Sequence, residues 1–223
     1  MAGVITALKL HARKRDRVEV HLNGRHAFDL PKVLAAELKL GQPLDDGMVK
    51  ELQRRAVEEA AYRRGLRLVS LRPRSEEEIR RALDRHRVPV EIQQAALARL
   101  RQAGLLNDRE FAQAWVENRQ AFRPRSRRAL RLELKGKGVA PEVAEGALIG
   151  VDDEASAYQA AARLARRLAC LPEDTFRRRL GAALARRGFD YEVIQSVVKR
   201  LWGEHTEPGG ESEDAEWNST SRL

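Results

Sequence analysis

Val88-Pro89-Val90-Glu91-Ile92, Val139-Ala140-Pro141-Glu142-Val143 and Phe189-Asp190-Tyr191-Glu192-Val193 are three versions of one helix start. Each is followed by an apolar pair: Ala96-Leu97, Ala147-Leu148 and Val197-Val198. The three glutamates stand 51 and 50 residues apart. The preceding helix repeats in the same register, because Ile79/Leu83, Leu130/Leu134 and Leu180/Leu184 are all spaced four apart and so share a helical face. A unit of about 50 residues buries little core alone, and such a period marks stacked helical modules. The expectation is a mainly α protein: an extended tandem array of three three-helix modules, at residues 48–106, 107–151 and 152–202.

Ahead of the array, residues 1–47 read as a small antiparallel β-sheet or hairpin plus a helix. Val18, Val20 and Leu22 alternate with polar residues, Asn23-Gly24 supplies a type I′ turn, and Arg25 to Leu30 returns. Val4 to Leu10 makes a third strand, joined through the basic loop Arg13-Lys14-Arg15. A lone hairpin is marginal in water, so the sheet needs a cover, expected to be a helix from Pro31 to Leu40 ending at Gly41. A long helix follows from Met48 to about Leu71, with Leu52, Ala56, Ala60 and Tyr62 on its apolar side.

Caps punctuate the modules. Ser75 with Glu78 forms a capping box, and Glu76, Glu77 and Glu78 suit the positive end of a helix dipole better than an acid catalyst. Asp108 caps the next helix, in which Phe111, Trp115 and Phe122 form one core stripe. Pro124-Arg125-Ser126 opens the middle helix of the second module as Pro73-Arg74-Ser75 opens that of the first. Asp152-Asp153 caps the first helix of the third module, with Tyr158, Ala161, Ala165 and Leu168 inward. Cys170 stands alone, so no intrachain disulfide is possible, and it reads as a small packed hydrophobe in a reduced interior.

Charge is the other organising feature. The net charge is +9 at pH 7, yet residues 203–223 alone carry a net −5, leaving +14 on the rest. That Gly-, Ser- and Glu-rich end has no period and reads as a disordered acidic tail able to compete with an acidic partner for the basic body. No signal-peptide pattern opens the sequence and no apolar run approaches a membrane span, so a cytoplasmic protein without membrane contact is expected.

No catalytic set is legible. The five histidines lack metal-ligand spacing, and Gly136-Lys137-Gly138 is a left-handed helix cap rather than a phosphate loop. Neither an enzyme, a metal nor a cofactor is expected. What the sequence offers is cations: Arg119, Arg123, Arg125, Arg127, Arg128, Arg131, Lys135 and Lys137 surround a single acid, Glu133. The third module adds Arg163, Arg166, Arg167, Arg177 and Arg178. Such a stripe suits phosphates, or an acidic protein groove where charge speeds docking. These thirteen side chains are the candidate binding residues.

Together, Arg72-Pro73-Arg74-Ser75-Glu76-Glu77-Glu78-Ile79-Arg80, Gly104-Leu105-Leu106-Asn107-Asp108 with Phe111-Ala112 and Trp115-Val116, and Pro124-Arg125-Ser126 resemble the RecX family, regulators of the RecA recombinase. Leu132-Glu133-Leu134-Lys135, Lys137-Gly138-Val139 and Arg187-Gly188-Phe189 with Tyr191 continue the resemblance, which runs from about Ile5 to Trp202. It implies a curved helical body that binds the groove of the RecA filament on single-stranded DNA. It further implies that the protein blocks filament extension, ATP hydrolysis and strand exchange in homologous recombination, DNA repair and the SOS response. The partner would be the RecA filament, with single- or double-stranded DNA within or beside it, and the protein a monomer. A second reading is a direct DNA-binding helical protein that masks DNA. Against it, Glu91 and Glu142 stand where a recognition helix would meet phosphates.

Overall fold

In the computed structural model, which describes residues 2–206, the alternation near the N-terminus becomes a four-stranded antiparallel sheet. Strands β1 (Gly3–Leu10), β2 (Arg17–Leu22), β3 (Arg25–Pro31) and β4 (Pro43–Leu44) are ordered β3-β2-β1-β4. Val18 faces Leu30 and Val20 faces Phe28, so the apolar residues of β2 and β3 fall on one side. Asn23 and Gly24 both have positive φ, as the type I′ turn requires.

The sheet's cover differs from the sequence expectation. Helix α1 is only Lys32–Ala35. The chain then returns to the edge of β1, where Gly41 N–H donates to Ile5 O at 2.8 Å and Ile5 N–H to Gln42 O at 2.9 Å. Those bonds to β1, with Gly41 turning at φ +81, lead the chain into β4 and rule out a helix to Leu40. The main cover is the first half of α2 (Asp46–Leu71), whose Val49, Leu52 and Ala56 join Ile5, Val20 and Leu30 in one core. The N-cap of α2 is Asp45, accepting from Met48 N–H at 2.7 Å.

Helix α2 serves two cores, so a module boundary at residue 48 does not describe the packing. Its second half packs Ala61 with Ile79 and Leu83 of α3 (Glu76–Asp84) and with Ala96, Leu97 and Leu100 of α4 (Val90–Gln102). Gly65 makes that approach possible: a Cβ there would lie 2.6 Å from Leu100 Cδ1. Beyond α4 come α5 (Asp108–Phe122), α6 (Arg127–Gly136), α7 (Pro141–Ala147), α8 (Asp153–Leu168), α9 (Glu173–Ala185) and α10 (Tyr191–Thr206). All six residues of the Ile79/Leu83, Leu130/Leu134 and Leu180/Leu184 pairs are fully buried, as are the apolar pairs that follow each helix start. The turn before each start has positive φ at the same register: Arg87, Gly138 and Gly188.

Packing divides the chain into two compact units through the middle module. One comprises residues 1–112 and 134–144, the other residues 113–133 and the chain from 145 onward. Helix α10 continues to Thr206, past the expected start of the acidic tail at 203, and the rest of that tail lies outside the described residues. No helix among the described residues is long and apolar enough to cross a membrane.

Several side chains differ from their sequence expectation. Phe122, the last residue of α5, is 78% exposed, and the buried stripe is Phe111, Ala112 and Val116. Asn107 rather than Asp108 caps α5, accepting from Arg109 N–H at 3.0 Å. Cys170 follows the end of α8 and is exposed rather than packed. Glu78 does not close a capping box; only the Ser75 half forms, accepting from Glu78 N–H at 3.2 Å.

Candidate interaction surface

Consecutive three-helix segments are tied by a pair of contacts that occurs twice, once in each unit. In the first unit, buried Ser75 Oγ donates to Lys137 O at 2.6 Å, and the Asp108 carboxylate accepts from Glu76 N–H at 2.8 Å. In the second unit, buried Ser126 Oγ donates to Gly188 O at 2.7 Å, and Asp153 accepts from Arg127 N–H at 2.7 Å. Each serine also caps its own helix by accepting from Glu78 N–H or Ala129 N–H. Four residues before Leu180, where the register calls for a third serine, stands Phe176, fully buried and 5.1 Å from the Trp202 ring.

This frame spends much of the positive stripe on internal pairs. Glu133 receives Arg119 Nε at 2.8 Å, Arg125 Nε at 3.0 Å and Trp115 Nε1 at 2.8 Å, and the Arg119 guanidinium lies 4.4 Å from the Trp115 ring centre. Trp115 is therefore a half-buried strut. Arg127 and Arg131 both pair with Glu145, whose carboxyl Arg131, and then Arg127, hold below its ordinary range. Lys137 Nζ reaches Glu78 at 2.6 Å, and Arg177 pairs with Glu173 one helical turn away. Among the described residues Arg128 has only a long ionic contact, 3.9 Å, to exposed Asp190.

Among the described residues no ion pair reaches Arg123, Lys135, Arg163, Arg166, Arg167 or Arg178, and all six are exposed. The candidate list thus separates into cations already neutralised, mostly in the second module, and free ones, mostly in the third. Exposed pairs such as Arg131–Glu145 are screened by water and contribute little, so a polyanion can still compete for them. Sequence reasoning did not find the pairs at Glu133 and Glu145, because the partners come from different helices and only packing brings them together. Among the described residues no group of three His, Cys, Asp or Glu side chains could hold a metal ion.

In the first unit, three carboxylates drawn into the fold are matched by basic neighbours. Glu59, buried on α2, is subject to desolvation that raises its pKa, but hydrogen bonds from Arg99 at 2.6 Å and Arg63 at 2.9 Å outweigh this and hold it below 4.5. Burial likewise opposes Arg72 and Lys137 at Glu78 and loses, while Arg101 and then Arg80 lower Glu76. A carboxylate lowered in the folded chain stabilises it above the unfolded pKa, and that contribution vanishes as pH falls through the folded value. Asp108 has the opposite sign: burial pushes its carboxyl above 3.8, and acid relieves that penalty. Glu59, Glu76 and Glu78, joined by Asp29 beside His26, outnumber Asp108, so acidification below about pH 4 is expected to loosen the first unit. In the second unit the lowered carboxylates, Glu145 and Glu204, are solvent-exposed and contribute little. Hydrogen exchange is expected to lose protection in α3 and α4 before α9, and the reverse order would contradict this assignment of charge.

Comparison with known proteins agrees with this frame. Family models for the first, second and third three-helix domains of RecX match residues 61–100, 107–148 and 152–198. The first begins where α2 turns from the sheet core to the helical core. The chain is 40% identical over 148 residues to regulatory protein RecX of Amycolatopsis mediterranei (strain U-32), an alignment covering 65% of this chain and 83% of the relative. It is 37% identical over 152 residues to that of Streptomyces coelicolor, covering 66% of this chain and 81% of the relative. A crystal structure of regulatory protein RecX superposes with a TM-score of 0.68 at 24% identity, over 89% of this chain and all of the other, and so shares its fold. Three matched domains in order and this identity across most of two relatives place the chain in the RecX family of regulatory proteins, which are not enzymes.

Proposed function

We propose that the protein regulates the RecA recombinase by binding in the groove of the RecA–single-stranded DNA filament, where it blocks extension, ATP hydrolysis and strand exchange. The observation that carries this reading is the match of all three helical domains to the RecX family. The exposed cations support it, because a recombinase filament offers acidic side chains and phosphates together, and several weak contacts on one chain add through effective concentration. Of the thirteen candidate residues, Arg163, Arg166, Arg167, Arg178, Arg123 and Lys135 would meet the filament directly. Arg119, Arg125, Arg127, Arg131, Lys137 and Arg177 would engage only by exchanging an internal acid for an external one, with Arg128 between the two groups.

The test compares binding to RecA-coated single-stranded DNA, held with a non-hydrolysable nucleotide, with binding to the same DNA uncoated at moderate salt. Preference for the coated form is expected. Reversing Arg163, Arg166 and Arg167 to glutamate should weaken that binding by about tenfold or more with helical content unchanged. Unaltered affinity would show that the filament meets a different face.

A further inference from the structure

The turn that joins α5 to α6 and the turn that joins α9 to α10 meet at Ser126, and the surface around them differs in one telling way from its counterpart in the first unit. There, Arg72 and Lys137 both close on Glu78, at 3.1 and 2.6 Å. Glu76 and Glu77 take up Arg80, Arg81 and Arg101. The same register, counted from Ser126, reads Arg127, Arg128 and Ala129 in place of the three glutamates. The counterparts of Arg72 and Lys137 are Arg123 and Arg187, and both have lost their acid to Ala129. Arg123 has no ion pair among the described residues, and Arg187 has only the Ala183 carbonyl at 3.5 Å.

Contacts between the two turns bring these cations together. Ser126 N–H donates to Arg187 O at 3.3 Å, Ser126 Oγ donates to Gly188 O, and Arg128 leans toward Asp190. Exposed Arg186 precedes Arg187. The apolar rim has changed along with the charge. Leu71 and Pro141 of the first unit are replaced at this turn by Phe122 and Tyr191, which are 78% and 74% exposed. Exposed aromatics beside unneutralised arginines are the combination that takes a nucleic-acid strand whose bases are free: guanidinium groups meet phosphates and rings stack on bases. A duplex keeps its base faces covered, so it could use only the charges.

We infer that Phe122, Arg123, Arg128, Arg186, Arg187 and Tyr191 form a binding surface for single-stranded nucleic acid. It goes beyond the filament reading, because it needs no partner protein. It is tested on the full-length chain with a fluorescein-labelled oligothymidylate, a hairpin duplex of equal charge, and poly-glutamate as competitor. The parent is expected to prefer the single strand, and its affinity should fall with salt. Phe122→Ala with Tyr191→Ala should weaken single-strand binding about tenfold while leaving the duplex unchanged, and Phe122→Trp should retain it. Arg123→Gln with Arg186→Gln should flatten the salt dependence by roughly one to two in slope. Ala129→Glu, which restores the missing acid, should weaken binding to both. All of these positions except Ala129 are exposed, so circular dichroism should stay unchanged. Aromatic variants that bind like the parent, or poly-glutamate that binds as tightly as oligothymidylate and so marks a seat for an acidic protein, would overturn the assignment.

Discussion

Gly138→Ala is expected to cost the fold about 2–5 kcal/mol, while Gly136→Ala, two positions earlier, is expected to be neutral or to stabilise by up to about 1 kcal/mol. Gly138 has φ +77, where an L side chain costs roughly 1–2 kcal/mol. An added Cβ would also sit 2.3 Å from both Cβ and Cγ of Glu77. Glu77 Cβ is fixed to the backbone of α3, so the overlap cannot be relieved by swinging a flexible tip. Gly136 ends α6 with open space around its Cβ direction, and there alanine only gains helix propensity. Urea unfolding followed by circular dichroism separates the two. A Gly138→Ala variant as stable as the parent would mean that the turn and α3 do not meet as described.

The next largest effect is expected at the two buried serines. Ser75→Ala or Ser126→Ala removes a helix cap, worth about 1 kcal/mol, and leaves the carbonyl of Lys137 or Gly188 without its donor, which costs about 1–3 kcal/mol more. The sum is roughly 2–4 kcal/mol for each. Asp152 is the control: its exposed carboxylate caps α8 by accepting from Glu154 N–H at 2.8 Å and among the described residues makes no tie to another helix, so Asp152→Ala should cost only about 1 kcal/mol. Because Ser75 and Ser126 sit in different units, hydrogen exchange should localise the loss to α3 and α7 for one and to α6 and α10 for the other. Equal losses for all three variants would remove the second role of the serines.

The sheet, the turn at Asn23-Gly24, the buried Leu and Ile pairs and the entry point of each closing helix were all legible in the sequence. Each is a matter of local period, 2 or 3.6, and the sequence carries periods directly. Phe122 departs from that period: it lies on a plausible stripe with Phe111 and Trp115, yet α5 ends at Phe122 and its ring is left 78% exposed. The short α1 was misread because helix propensity between Pro31 and Gly41 competes with ladder bonds to β1, contacts that lie more than thirty residues away in sequence.

By itself the sequence determined a repeating helical protein with an N-terminal sheet and a strong positive charge, since repeat, register and composition all survive in one dimension, and its motifs carried the resemblance to the RecX family. Only the tertiary structure decided which of those charges remain available. A positive side chain is a binding residue or an internal strut according to whether a carboxylate from another helix lies within about 4 Å. That distance is set by packing: Arg131 met Glu145, Arg119 and Arg125 met Glu133, and Arg123, with Ala129 where its counterpart meets Glu78, has no ion pair among the described residues.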